Sequence, residues 1–286
     1  MKVSNIIIIT TLVLLIVYLS TRFLFVTDII YDIMCDAKVP ANSDSASTLT
    51  GSLMAVNKNI IANKDFNENN TSNLMISAWF FVDNWGNEIS NEKNILYVST
   101  SPNSITPSEL KDKLVGISSS VEALSDPATP YKNLAISLDK FENNLLIDIE
   151  TYSDSVENKT TFTRYLIKNI PIQKWNNITI SVDTKTMDVY LDGKLRNSFI
   201  LHGIYKNKYE NNAEKNIYLG NLGGSNVGFE GYITRIRYQP HAINPQDANN
   251  IYKAGISASL AKTMYNKYGL KVSFLEHDTE RGSFTI

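Results

Sequence analysis

Asp148 and Glu150 stand two positions apart in the stretch "NNLLIDIET", residues 143–151. In an extended strand side chains alternate between faces, so Leu145, Ile147 and Ile149 point one way while Leu146, Asp148 and Glu150 point the other. Two carboxylates on one face of a β-sheet are what cleavage of a glycosidic bond needs, one as acid or base and one as nucleophile. They are equally what a half-buried strand displays to water.

The other chemistry-bearing residues are sparse. Cys35 is the single cysteine, so no intrachain disulfide and no Cys-based metal cluster can form. It sits just beyond an apolar run, where acylation or an intermolecular disulfide competes with an unmodified thiol. His202, His241 and His277 are scattered and form no His-x-x-x-His pair, so zinc has no local support. The stretch "DNWGNEISNE" supplies oxygen donors in Asp83, Asn84, Asn87 and Glu88. Calcium is therefore the one candidate ion, but it takes about six to eight oxygens and this spacing matches no known loop motif. A solvated loop is the competing reading. Trp85, Tyr131, Tyr205 and Tyr209 are loop aromatics suited either to stacking on a sugar or to a protein interface. Gly220, Gly223, Gly224, Gly228 and Gly231 crowd "LGNLGGSNVGFEG", yet no helix follows, so bulges and tight turns are expected there and not a phosphate loop.

The 286 residues, 43% hydrophobic and 20% charged with a net charge of −2, suit one large or two small folded domains. They indicate neither disorder nor a nucleic-acid partner. Asn and Ile together form roughly a fifth of the chain, above ordinary usage. That bias reflects AT-rich codons, as in some protists, bacteria and large DNA viruses.

The stretch "SNIIIITTLVLLIVYLST" carries no charge, and apolar character resumes after Arg22. The run from Ile6 to Val26 has the length of about 20 residues that a spanning helix requires. No small-x-small cleavage site follows, which favours an uncleaved anchor over a signal peptide. Lys2 places the short N-terminus inside, with everything after residue 27 on the opposite side. The sequons at Asn69, Asn70, Asn158 and Asn177 suit an ectodomain, although Asn177 falls in a strand and is a poor acceptor.

The order expected is therefore an anchor over 1–27, a linker or stalk over 28–51 containing "KVPANSDSASTLTG", a β domain over 52–255, and a short helix and tail over 256–286. A dozen short apolar or alternating runs, with no long amphipathic helix between them, predict an antiparallel sandwich. Asp192-Gly193 between two such runs predicts a hairpin turn. "NPQDANNIYKAG" predicts a helix with Asn244 as N-cap, Pro245 in its first turn and Gly255 as its stop, and "SASLAKTMYNKYG" a second. The final "LKVSFLEHDTERGSFTI" reads as a strand, able to add to a partner's sheet edge, or as a loose tail.

Three stretches carry a resemblance: "LMISAWFFVDNW", "KWNNITISVDTKTMDVYLDGKL" and "NIYLGNLGGSNVGFEGYITRIRYQPHAINPQDANNIY". Together with the short strands between them, they resemble the concanavalin A-like lectin/glucanase superfamily in its laminin-G-like and pentraxin-like branch, over residues 52–255. The resemblance implies an all-β, antiparallel jelly-roll sandwich of two sheets, one of them concave. In that frame Trp79 and Trp175 fill the core, Ile178, Ile180 and Val182 alternate inward, and Gly231 lets the last strand pass closely.

The glucanase members of this superfamily carry E-x-D-x-E or E-x-D-x-x-E on the active strand. Placing Asp148 on the central Asp and Glu150 on the acid/base puts Leu146 where the nucleophile belongs, and leucine can neither attack an anomeric carbon nor hold charge. The expected role is non-catalytic: no catalytic residue and no cofactor, with Asp148 and Glu150 as surface acids open to a partner. The whole reads as a single-pass membrane protein whose lectin-like sandwich contacts protein or glycan, one form being a virion-membrane protein tied to a capsid. A glucanase-type enzyme and a calcium-dependent lectin are the alternatives.

Overall fold

The structure, a computed structural model, describes residues 29–38, 60–61, 72–85, 90–112, 114, 116–124, 130–153, 159–206, 215–223, 226–256, 271–276 and 279–285. The expected anchor and the helix expected over 257–269 lie outside the described residues. Among the described residues no helix is long and apolar enough to cross a membrane.

In chain order the elements are β1 (Ile29–Asp36), β2 (Ile60–Ile61), β3 (Leu74–Asn84), β4 (Lys93–Ser99), α1 (Ser108–Asp112), β5 (Ser118–Leu124), β6 (Leu134–Leu138), β7 (Leu145–Tyr152), β8 (Lys159–Ile167) and β9 (Trp175–Asp183). There follow β10 (Thr186–Leu191), β11 (Lys194–Ile200), β12 (Asn216–Leu219), β13 (Glu230–Gln239), α2 (Pro245–Lys253), β14 (Lys271–Glu276) and β15 (Thr279–Thr285). A six-stranded sheet runs β1-β13-β3-β9-β10-β11 and a seven-stranded sheet β2-β12-β4-β6-β7-β8-β5. Pairing between these strands is antiparallel, as the alternating runs predict. The last residues form the separate hairpin β14–β15, which favours the strand reading of the C-terminus.

One apolar cluster fills the space between the sheets. Ile76, Ala78, Phe80 and Val82 of β3 and Ile178, Ile180 and Val182 of β9 meet Leu134, Ile136 and Leu138 of β6 and Leu145, Ile147 and Ile149 of β7. The period of two that marks each strand is thus the period of burial against the opposite sheet.

The same period corrects the expectation for two tryptophans. Because Ala78 and Phe80 take the inner face of β3, Trp79 turns outward and stacks on Tyr252 of α2, their ring centroids 5.5 Å apart. Trp175 likewise packs beside its cross-strand neighbour Phe81, at 5.6 Å, and not between the sheets. The expected local signals hold. Asp192 and Gly193 both adopt positive φ, 51° and 72°, in the tight turn between β10 and β11. Asn244 accepts the Asp247 N–H at 2.9 Å and caps α2. A Cβ on Gly231 would lie 1.9 Å from the Phe81 carbonyl oxygen, so glycine is what lets β13 pass β3.

Ile29–Asp36 falls inside the stretch assigned to the linker but forms the edge strand β1, hydrogen-bonded to β13. Without it the ladder groups of β13 would be an open edge. The short helix α1 also went unpredicted, since five residues are too few to show a helical period.

Candidate functional site

The outer face of the seven-stranded sheet, away from the core, carries the two acids. Asp148 sits opposite Arg164 in the β7–β8 register. Arg164 donates from Nε to Asp148 Oδ1 at 2.6 Å and from Nη2 to Asp148 Oδ2 at 2.7 Å. Its Nη1 and Nη2 reach Glu92 Oε1 and Oε2 at 2.6 and 2.9 Å, and Thr106 Oγ1 adds a donor to Asp148 Oδ2 at 3.3 Å. Asp148 and Arg164 are each only 2% exposed. Burial acts to lower the Arg164 pKa, but Asp148 and Glu92 together hold the guanidinium above its ordinary value.

Glu150, on the same face, is 1% exposed and separately paired. Lys206 Nζ lies 2.9 Å from Oε1, and Asn133 Nδ2 donates to Oε2 at 2.7 Å. Its main chain is held sideways, in the plane of the sheet: Glu150 N–H donates to the Asn133 carbonyl at 2.7 Å, and Lys206 N–H donates to the Glu150 carbonyl at 3.0 Å. Burial pushes the Glu150 carboxyl above its usual range, with Lys206 and Asn133 offsetting part of that shift. Asp148 and Glu150 are therefore not surface acids. Alternation places them on the outer face, as predicted, but loops cover that face, and each buried charge is matched by a cation because an unmatched one is too costly to bury. Leu146, on the same face, is buried between Ser137 of β6 and Leu166 of β8.

A cleft of about 90 Å³ lies over this network, lined by Glu92, Asn94, Lys111, Lys132, Ser137 and Lys140 among others. Half-buried Lys132 holds Nζ 4.6 Å from the centroid of the Tyr97 ring. Burial pushes this ammonium down to about 8, with Lys111 and Arg164 acting in the same direction and Asp148 and Glu92 against it. Asn94 Nδ2 donates to the Gly220 carbonyl at 2.8 Å, and its buried Oδ1 has no hydrogen-bond partner among the described residues.

The remaining predicted candidates are dispersed. Asp83 and Asn84 are exposed at the end of β3, while Asn87 and Glu88 lie outside the described residues. Among the described residues no group of three His, Cys, Asp or Glu side chains is placed to hold a metal ion. Of the loop aromatics, Tyr205 is buried in the core cluster, Tyr131 packs on Phe162 with centroids 5.0 Å apart, and Trp85 packs against the core beneath Lys93. Tyr209 lies outside the described residues. A sugar thus has no fully open aromatic platform among the three that are described. Asn177 is fully buried in β9, in keeping with a poor glycan acceptor. Sequence reasoning missed Arg164, Lys206, Glu92 and Lys132. The one signal available was an arginine at the head of the apolar run in "TRYLIKNI", where a buried charge demands a partner.

A family model, Laminin_G_3 of the concanavalin A-like lectin/glucanases superfamily, matches residues 128–249, from the approach to β6 into α2. The fold is a concanavalin A-like β-sandwich. Among solved structures, the chain is similar to the botulinum neurotoxin type G receptor binding domain, at 16% identity over 64% of this chain and 38% of that one, with a TM-score of 0.38. It is also similar to domain 4 of AbnA, a GH43 extracellular arabinanase from Geobacillus stearothermophilus, solved with arabinotriose, at 15% identity over 64% and 67% of the two chains and a TM-score of 0.36. A third is Trypanosoma rangeli sialidase, at 12% identity over 64% and 22%, with a TM-score of 0.39. The chain spans only about two fifths of the neurotoxin domain. A search of curated proteins gave no match.

Proposed function

We propose that the protein is a non-catalytic binding module that contacts a glycan or a protein and is displayed from a membrane by its N-terminal apolar segment. One observation carries this reading: the two carboxylates at glycanase spacing are buried and already matched, Asp148 by Arg164 and Glu150 by Lys206. A general acid must reach the glycosidic oxygen and a nucleophile the anomeric carbon. Buried carboxylates held by cations reach neither, and Leu146 supplies no substitute. The apolar run over residues 6–26 supports display from a membrane. The excess of Asn and Ile supports a large DNA virus as one source, and with it a virion membrane with capsid proteins as neighbours.

The test uses the full chain in a non-ionic detergent. It is assayed for release of reducing ends from a panel of β-glucans, for binding on a glycan array with and without EDTA, and for crosslinking to neighbours in isolated membranes or particles. Binding or a defined crosslink without hydrolysis is expected. Hydrolysis that disappears in Glu150→Gln overturns the reading. Retention in membranes through carbonate extraction is expected as well; release of a mature protein beginning near residue 27 overturns the anchor.

A further inference from the structure

We propose that the cleft over Asp148 is a subsite for a sugar acid, with the Lys132 ammonium as its charge contact and Asn94 and Ser137 as its hydroxyl contacts. This rests on the binding-module reading and names the class of ligand for it.

The charge balance comes first. Lys111, Lys132 and Lys140 line the cleft with Glu92 and Asp148, and both acids are engaged by Arg164. Counting Arg164, four cations face two acids, and none of the three lysine ammonium groups has a carboxylate partner among the described residues. Lys132 Nζ rests over the Tyr97 ring, an arrangement that holds a cation without satisfying its three donors. A ligand anion would satisfy them.

The neutral groups narrow the class. Asn94 lines the cleft at 2% exposure, and its Oδ1 is an acceptor with no donor among the described residues. Inorganic sulfate and simple carboxylates offer an acceptor such a group cannot use, whereas a hydroxyl beside the anion donates to it. Ser137, on the neighbouring strand and paired with Asn94 in the β4–β6 register, can meet the same hydroxyl or its neighbour. The cleft volume of about 90 Å³ takes a few water-sized groups. A carboxylate and the hydroxylated carbons next to it fit that space, with the rest of the ring at the mouth. A glutamate or aspartate side chain brings the carboxylate without the adjacent hydroxyl, which favours a glycan over an acidic peptide.

The experiment is calorimetric titration of the full chain in non-ionic detergent with sodium glucuronate, glucose, acetate and N-acetyl-Glu-Glu-amide. Glucuronate is expected to bind at least about tenfold tighter than each of the other three, and Lys132→Met to abolish that preference with the melting temperature preserved. Lys111→Gln, on the exposed face of α1, guards against a misfolded Lys132 variant and is expected to weaken glucuronate by about two- to fivefold. Equal binding of glucose, acetate or the peptide, or glucuronate binding indifferent to both lysines, overturns the assignment. If neutral glycans or a crosslinked protein bind but glucuronate does not, the assignment fails and the binding-module reading stands. If no probe binds and β-glucan is hydrolysed, that reading fails too.

Discussion

Arg164 Nε and Nη2 meet Asp148 Oδ1 and Oδ2 at 2.6 and 2.7 Å across the β7–β8 ladder, so one edge of the guanidinium caps the whole carboxylate. The geometry is the fork-on-fork pairing that only arginine provides. It also explains how β7 carries an acid at its centre without exposing it.

Removing the guanidinium leaves a carboxylate at 2% exposure with, among the described residues, only the Thr106 hydroxyl as its remaining side-chain donor. Arg164→Met is therefore expected to cost about 3–5 kcal/mol of stability. Asp148→Leu combined with Arg164→Met should cost less, because no charge is then stranded in the sheet; Glu92, only half-buried, can turn to water. Urea unfolding of the three proteins measures the difference. A single variant no worse than the double removes the pair from any structural role.

Lys132 gives a pH signature. Its folded pKa is pushed down to about 8 from 10.5, so between these values the unfolded chain holds the proton and the folded chain does not. Stability from this group is thus fully present above the unfolded value and lost as pH falls through about 8. Wild type should gain on Lys132→Met as pH rises from 8 to 10.5, by on the order of 1–3 kcal/mol. Comparison with the variant cancels the tyrosines and the neighbours Asp148, Glu92, Lys111 and Arg164. Binding of a sugar acid should run the other way, weakening above pH 8 as the ammonium is lost. Denaturation and calorimetry over that range check both slopes.

Much of the frame could be read from local pattern, because the residues concerned act locally. The turn at Asp192 and Gly193, the cap at Asn244 and the alternation of β7 depend on a few neighbouring residues. What pattern could not supply is which face of a strand is covered, and by what. The family frame puts Trp79 in the core, whereas the strand's period gives that face to Phe80. Asp148 and Glu150 were placed on the correct face of β7, but Glu92 and Lys206 lie 72 and 56 residues from their partners and reach them through loops. Tyr205 reads as a loop aromatic in the sequence, while a bridge between Thr151 and Tyr205 sets the chain alongside β7 and the ring enters the core.

Gly231 tests the close passage of the last strand. A Cβ there would sit 1.9 Å from Phe81 O and 2.8 Å from Phe229 Cε2, so β13 must leave β3 or the backbone must deform. Gly231→Ala is expected to cost at least about 3 kcal/mol, with loss of amide protection along β13 and β1 in hydrogen exchange. A variant with unchanged unfolding midpoint contradicts the assigned packing.

Leu146→Glu restores the missing carboxylate of the glycanase spacing and so asks whether a single residue separates this chain from an enzyme. Position 146 is 3% exposed and packs between Ser137 and Leu166, and the two acids farther along β7 are already committed to Arg164 and Lys206. A new carboxylate there has no cation of its own, and a buried unpaired acid either stays protonated or unfolds its surroundings. The expected outcome is a loss of about 2–4 kcal/mol in urea unfolding and no release of reducing ends from any β-glucan. The absence of activity would follow from the burial and the ion pairs, not from leucine alone. Removing Lys206 as well, to free Glu150, should then still give none, because Glu150 stays buried with Asn133 Nδ2 on its Oε2. Hydrolysis appearing in Leu146→Glu would mean that the outer face of β7 opens to substrate, and the non-catalytic reading would fall with it.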